Sequence, residues 1–193
     1  MEHMITILLD VISWLAILVL LSVLILLFLW MWSSIKSKVP FVRVPLKTLK
    51  EIEKALDIKE DSVIYDLGCG DGRVLFSLYK NNPKAQYVGI ENSLFPFLLV
   101  SVNNWWHKKK HNSNIKIIHE DFFNVDLSQA THIFTYLYPN IMDDLISKLD
   151  RELKTGTRLV SMSFHFTSKR EIEEVDLKRG KYQLAQKIYI YEF

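Results

Sequence analysis

VIYDLGCGDGRV, residues Val63 to Val74, is an apolar run that breaks into three alternating glycines and then resumes with the apolar spacing of a helix. A short β-rich segment entering a glycine turn and leaving as a helix is the first strand, turn and helix of an open α/β sheet. Gly68, Gly70 and Gly72 fall in the turn, where backbone without a Cβ can take conformations other residues avoid and lets a ligand approach the chain closely.

The same alternation continues on both sides. Upstream, Leu46, Leu49, Ile52 and Leu56 recur at helical spacing after Pro45, which predicts an amphipathic helix over 46–56. Downstream, the helix beginning at Val74 to Tyr79 is followed by a strand at Tyr87 to Ile90 and a helix from about Leu94 to His107. Strands at Ile115 to Ile118 and Ile133 to Leu137, a helix over Ile141 to Leu153 and a strand at Leu159 to Phe164 complete the series. Lys181 to Phe193 ends on Ile188-Tyr189-Ile190-Tyr191, a final strand expected to pair near Ile172 to Val175. Strands alternating with helices at this spacing predict an α/β fold of right-handed βαβ units, a Rossmann-like, doubly wound and mostly parallel sheet.

In such a sheet the ligand lies off the carboxyl ends of the strands. Glu91 ends the second strand, 23 positions after Gly68, where a carboxylate can accept hydrogen bonds from both hydroxyls of a ribose. The glycine spacing is G-x-G-x-G, not the G-x-G-x-x-G of dinucleotide binders, and Asp66 precedes it. A carboxylate there would repel a pyrophosphate but suits the ammonium of an amino-acid-bearing nucleotide such as S-adenosylmethionine. The pattern hydrophobic-hydrophobic-Asp-x-Gly-x-Gly-x-Gly resembles motif I of class I methyltransferases, and that resemblance implies that Asp121, after the third strand in IIHEDFF, meets the adenine amino group, with Phe122 available to pack on the ring. The plainer alternative is that Asp66 and Asp121 only cap turns, and it must account for three acidic positions in register.

The N-terminus differs in kind from the rest. Val11 to Trp32, VISWLAILVLLSVLILLFLWMW, runs 22 residues with only Ser13 and Ser22 clearly polar. At about 1.5 Å per residue a helix of this length exceeds the roughly 30 Å hydrocarbon layer of a bilayer. A cleaved signal peptide fits poorly, because Glu2 and Asp10 occupy the leading segment, the run is too long, and no small-residue cleavage site follows. A buried helix of a soluble core would show a polar stripe, and none is present. The expected plan is therefore a transmembrane anchor over 1–32, a linker over 33–40 and a catalytic domain over 41–193. Trp14, Trp30 and Trp32 suit the two membrane interfaces, and Lys36, Lys38, Arg43, Lys47 and Lys50 beyond the span place the domain on the cytoplasmic side with the N-terminus outside. The absence of an Arg-rich transit segment favours a bacterial plasma membrane over a mitochondrial inner membrane.

Cys69 is the sole cysteine, which excludes an internal disulfide. A net charge of +2 implies no strong steering of nucleic acid. His107-Lys108-Lys109-Lys110-His111, after Trp105 and Trp106, reads either as a solvated helix end whose cations suit the helix dipole or as a contact for anionic headgroups or an acidic partner. His119, His132 and His165 lack the paired spacing of a metal site, so no metal is expected.

Several segments together resemble the membrane-associated ATP synthase c-subunit lysine N-methyltransferase family and its prokaryotic relatives: the hydrophobic segment, FVRVP (Phe41 to Pro45), YDLGCGDGRV, GIENSLFPFLLVS (Gly89 to Ser101), EDFF (Glu120 to Phe123), TYLYP (Thr135 to Pro139) and LKTGTRLVS (Leu153 to Ser161). The resemblance implies the class I methyltransferase fold and S-adenosylmethionine as methyl donor. It further implies that Asp66, Gly68 and Gly70, with Cys69 between them, hold the methionine end; Glu91 and Asn92 the ribose; and Asp121 and Phe122 the adenine. Val44 and Pro45 would fold over the cofactor, and Tyr136 and Leu137 would line the transfer site, with Tyr136 and Tyr138 as the candidate catalytic side chains. Tyr136 and Tyr138 alternate along the end of the fourth strand, so at most one is expected to face the substrate; the alternative is that both are aromatic packing residues. The implied acceptor is a lysine of a membrane protein; a lipid or quinone reached from the bilayer, or cofactor binding without transfer, are the alternatives. Asn/Asp-Pro-Pro-Tyr, the pattern for transfer to an exocyclic base nitrogen, is missing, which disfavours a nucleic-acid substrate.

Overall fold

No glycine or proline interrupts residues 2–36, and they form one helix, α1 (Glu2–Lys36). The computed structural model describes residues 2–36, 42–177 and 186–193. Within α1 the stretch His3–Leu29 is long and apolar enough to cross a membrane. Its two serines bond inward: the Ser13 hydroxyl donates to the Leu9 carbonyl at 2.8 Å and the Ser22 hydroxyl to the Val19 carbonyl at 2.7 Å. Such back-bonding removes from the helix surface the two donors that apolar surroundings would leave unsatisfied. The chain divides into two compact units, 1–40 and 41–193, and α1 belongs to the first.

The second unit is built on a seven-stranded sheet. After a 3-10 turn (Leu46–Thr48) come α2 (Leu49–Leu56), β1 (Val63–Leu67), α3 (Arg73–Asn81), β2 (Gln86–Ile90), α4 (Leu94–His111) and β3 (Ile115–Ile118). Then follow β4 (His132–Thr135), α5 (Pro139–Glu152), β5 (Arg158–Met162), β6 (Glu173–Asp176) and β7 (Lys187–Glu192). The spatial order is β3-β2-β1-β4-β5-β7-β6. Strands β1 to β5 are parallel, and β7 inserts antiparallel between β5 and β6. This is the Rossmann-like α/β sheet expected from the alternation.

Both faces of the sheet are covered, so strand residues alternate between two cores. Ile64, Phe134, Val160, Ile188 and Ile190 point toward Ile52 and Leu56 of α2, Leu75 and Leu78 of α3 and Val100 of α4. Tyr65, Leu67, Ile133, Leu159, Tyr189 and Tyr191 point toward Met142, Leu145 and Leu149 of α5. The register then sets the site: Leu67 lies beside Ile90 and Thr135, and Ile90 beside Ile118, so the residues that follow these strands emerge along one edge.

Several boundaries differ from the sequence reading, and four of them have a local reason. The first turn of the 46–56 helix is 3-10, with the Thr48 amide and hydroxyl both donating to the Pro45 carbonyl at 3.0 and 2.8 Å. Helix α4 continues to His111, ending where Asn112 turns left-handed, so the lysine run lies inside the helix. Strand β4 stops at Thr135, not Leu137, because Tyr138 is held extended ahead of Pro139, which opens α5. Strand β5 stops at Met162, not Phe164, because Ser163 takes φ 71° and turns the chain away. Of the expected terminal segment, residues 181–185 lie outside the described residues; β7 follows them and pairs with β6.

Candidate active site

The glycine turn is fastened to the end of β2. The amides of Gly68 and Cys69 both donate to the Ile90 carbonyl, at 2.9 and 3.0 Å, and the Gly70 amide donates to Glu91 Oε2 at 2.9 Å. Gly68, Gly70 and Gly72 all have positive φ, which keeps the turn tight. Gly72 is needed twice over, since a Cβ there would lie 2.6 Å from both Phe76 Cε2 and Val100 Cγ2. Gly68 sits against Leu137, whose Cδ2 would be 3.3 Å from a Cβ, so the segment after β4 also braces the turn.

Two buried carboxylates stand behind this turn. Glu91 accepts from the Gly70 amide through Oε2 and from the Ser93 amide, at 2.8 Å, through Oε1. A carboxylate has about four acceptor sites, so the two amides, with the Ser93 hydroxyl that also bonds to it, leave Glu91 capacity to accept from a ligand hydroxyl. Burial raises the Glu91 carboxyl, and the two amides with nearby His119 only partly oppose the effect. Asp66 is 2% exposed, and its Oδ2 accepts no hydrogen bond from any described residue. Burial pushes the Asp66 carboxyl well above the ordinary carboxylate range, and the charges of Glu91 and Asp71 push it further. Cys69 is buried on the same face of the sheet, its Sγ 2.8 Å from where a Gly89 Cβ would be, with its amide donating to Ile90 and its carbonyl accepting from the Gly72 amide at 2.9 Å.

The segment before the domain is pinned to the turn. Arg73 donates to Asp71 through Nε and Nη2, the latter at 2.6 Å, while its Nη1 donates to the Val44 carbonyl at 2.9 Å. Arg43 approaches the same carboxylate at 3.4 Å. Burial alone would raise the Asp71 carboxyl, but the hydrogen bonds and charge of Arg73, with Arg43, hold it below the usual value. Val44 is buried and Pro45 half-buried beside it. Sequence reading did not find this clamp, although Asp71-Gly72-Arg73 carried an ion pair at i, i+2 as a signal.

On the other side of Glu91, the exposed Asn92 places its carbonyl 3.1 Å from His119 Nε2, and the His119 ring stacks on Phe97 at 4.2 Å. His119, considered from sequence only as a metal ligand, thus stands beside Glu91 and Asn92. Half-buried Asp121 uses Oδ1 to accept from the Phe123 amide at 3.0 Å, the turn-capping arrangement, and Phe122 packs 4.9 Å from Phe123.

Past the end of β4, the rings of Tyr136 and Tyr138 both stack near Phe164, at 6.3 and 5.5 Å. The alternation expected of two tyrosines on one strand does not hold, since both lie beyond the strand. Phe164 is held by the Ser161 hydroxyl, which donates to its carbonyl at 2.6 Å. It was read only as the last residue of β5, and the left-handed turn that repositions it had no sequence signal, because Ser163 is not a glycine.

A cation with an amino-acid end and a ribose fits this set: an unpartnered buried carboxylate with a second one near it, and a tight turn against them. Fold and site define a class I S-adenosylmethionine-dependent methyltransferase. The solved RNA methyltransferase from Salinibacter ruber in complex with S-adenosyl-L-homocysteine superposes with a TM-score of 0.70 and 26% identity, covering 78% of this chain and 93% of that one. The chain belongs to the family of the ANTKMT methyltransferase domain, whose sequence model matches residues 66–191. It is 32% identical over 155 residues to a protein-lysine N-methyltransferase of Saccharolobus islandicus (strain REY15A), covering 79% of this chain and 92% of the relative. It is likewise 32% identical over 132 residues to the ATP synthase c-subunit lysine N-methyltransferase of Homo sapiens, of which it spans about half, 54%, while 68% of this chain is covered.

Proposed function

We propose that this chain transfers methyl groups to lysine side chains of a membrane protein, from a domain tethered to the bilayer by α1. The observation that carries the reading is the aromatic group of Tyr136, Tyr138 and Phe164 at the carboxyl ends of β4 and β5, on the same sheet edge as Asp66 and Glu91. The cofactor, when bound, supplies an electrophilic methyl on a sulfonium. Asp66, with the backbone of Gly68, Cys69 and Gly70, holds its amino-acid end; Glu91 and Asn92 take the ribose; Asp121 and Phe122 border the adenine; Val44 and Pro45 close over it. Tyr136 and Leu137 line the approach of the acceptor, and Tyr138 with Phe164 extends the wall.

A lysine must shed its proton before it can attack. Aromatic surroundings that strip water from the ammonium lower its pKa and so favour the neutral amine. Holding that amine in line with the methyl group is then the main contribution of the protein. The lysine acceptor accords with the names of the two relatives above, and the tether with the length and apolarity of His3–Leu29. The lysines that follow the apolar span favour a domain on the cytoplasmic face of that membrane.

Incubating the full chain and methyl-labelled cofactor with membranes from cells lacking its gene, then separating protein, lipid and RNA, tests this reading. Label in protein, mapped to lysine by mass spectrometry, is the expected result. Label confined to the lipid extract or to RNA overturns the acceptor assignment, and cofactor binding with no label in any fraction overturns the transferase reading itself.

A further inference from the structure

Helix α4 carries a second apolar surface, outside the cofactor site. Leu94, Leu98, Val102, Trp105 and Trp106 are all exposed, the two tryptophans at 57% and 59%. At about 100° per residue they fall within roughly a third of the helix circumference. Val100 and Pro96, the buried residues of α4, lie on the opposite side. A stripe of large side chains on one face of an 18-residue helix is therefore turned away from the core that the same helix packs against.

The stripe ends in charge. Lys108, Lys109 and Lys110 close α4, Lys109 Nζ lies 5.4 Å over the Trp105 ring, and Trp105 meets Trp106 edge-on at 4.7 Å. No acidic residue occurs anywhere in α4. Tryptophan beside lysine, at the end of an aliphatic stripe, is the composition that lies in the headgroup layer: aliphatic side chains enter the acyl boundary, indoles sit at the interface, and ammonium groups meet phosphates.

We infer that the exposed face of α4 docks flat on a bilayer containing anionic lipid. The aliphatic part of the stripe argues for lipid over single-stranded nucleic acid, which would need aromatic platforms along its length. The inference uses the tether reading of α1 only to bring the surface near. The docked helix follows directly on Ser93, whose amide donates to Glu91, and Asn103 Nδ2 donates to the Asp71 carbonyl at 3.2 Å, so docking would orient the cofactor site relative to the membrane plane.

The sequence holds five tryptophans, and Trp14→Phe, Trp30→Phe and Trp32→Phe together leave Trp105 and Trp106 as the sole reporters in the full chain. This variant is reconstituted into phosphatidylcholine vesicles with and without about a third phosphatidylglycerol. Flotation reports membrane insertion through α1; quenching by lipids brominated near the headgroup reports docking of α4, so the two readings fail separately. Expected are strong quenching in anionic vesicles and several-fold less in neutral ones. Lys108→Glu, Lys109→Glu and Lys110→Glu together should abolish the difference, since each lysine near an anionic surface strengthens binding about fivefold. Val102→Gln, a change at an exposed position, should weaken quenching while cofactor titration stays unchanged. Floated protein whose tryptophans remain open to acrylamide overturns the inference. So does protection without lipid quenching, which would place a second copy, another protein or α1 itself on the stripe, and so does equal quenching in both kinds of vesicle.

Discussion

Asp66→Asn should separate the cost of a buried carboxylate from its contribution to the ligand. Asp66 is 2% exposed with an unpartnered Oδ2, and burial, then Glu91 and Asp71, raise its carboxyl well above the ordinary value. In the unfolded chain the group titrates near 3.9. A carboxyl raised by folding gives stability that is full below the unfolded pKa and is lost as pH rises through the folded one. Asparagine carries no such charge. The stability of the variant relative to wild type should therefore climb by up to about 1.4 kcal/mol per pH unit between those two values and then level off. For a chain of this size that is roughly 3 to 5 °C in Tm per unit. Thermal unfolding of the cofactor-free full chain in mild detergent, from pH 5 to pH 9, reads the slope, and the plateau reads the Asp66 pKa. With cofactor the order should reverse: losing a hydrogen bond to a charged group costs about 1.5 to 3 kcal/mol, so calorimetric affinity should fall by roughly ten- to a hundredfold. Parallel pH curves for the two proteins, or unchanged affinity, would refute the account of this carboxylate.

Three further outcomes follow from the site. Glu91→Gln sets an amide NH2 against either the Gly70 or the Ser93 amide, and should weaken cofactor binding by about 1 to 3 kcal/mol; unaltered affinity in a folded variant would mean the ribose lies elsewhere. Gly89→Ala puts a Cβ 2.6 Å from Leu75 Cδ1 and 2.8 Å from Cys69 Sγ, so urea denaturation should show a loss of about 1 to 3 kcal/mol together with weaker binding; a loss of stability with intact affinity would uncouple the turn from β2. Burial, with Asp66 and Glu91 adding to it, raises the Cys69 thiol, so a disulfide reagent at pH 8 should label the folded chain orders of magnitude more slowly than the denatured one. Prompt stoichiometric labelling would show that the thiol is reachable and ionised.

The parallel core of the sheet was legible because each strand is an apolar run and each turn carries its own chemistry. Glu91 could be located by its distance from Gly68 and Asp121 by its place after the third strand, since parallel register brings the ends of neighbouring strands to one edge. What sequence could not supply is contact between segments far apart. The Arg73 bond to Val44 spans 29 residues, and Phe164 joins the tyrosines only because Ser163 adopts a backbone conformation its side chain does not announce. Gly89 was passed over as an ordinary strand residue, because its need to be small comes from Leu75 and Cys69, on other elements. Helix α4 was read two ways from its lysines, and only the exposure of Leu98, Val102 and the tryptophans separates a solvated end from an apolar face.

The turn at Gly68 to Gly70 has its first three amides already committed, two to the Ile90 carbonyl and one to Glu91. A cradle whose donors are spent on the scaffold cannot reshape itself around a guest. It therefore loses little conformational entropy on binding, and discrimination falls to what stays fixed and outward: the floor of the turn and the charge behind it. Ligands that differ in charge should then be told apart more sharply than ligands that differ modestly in shape.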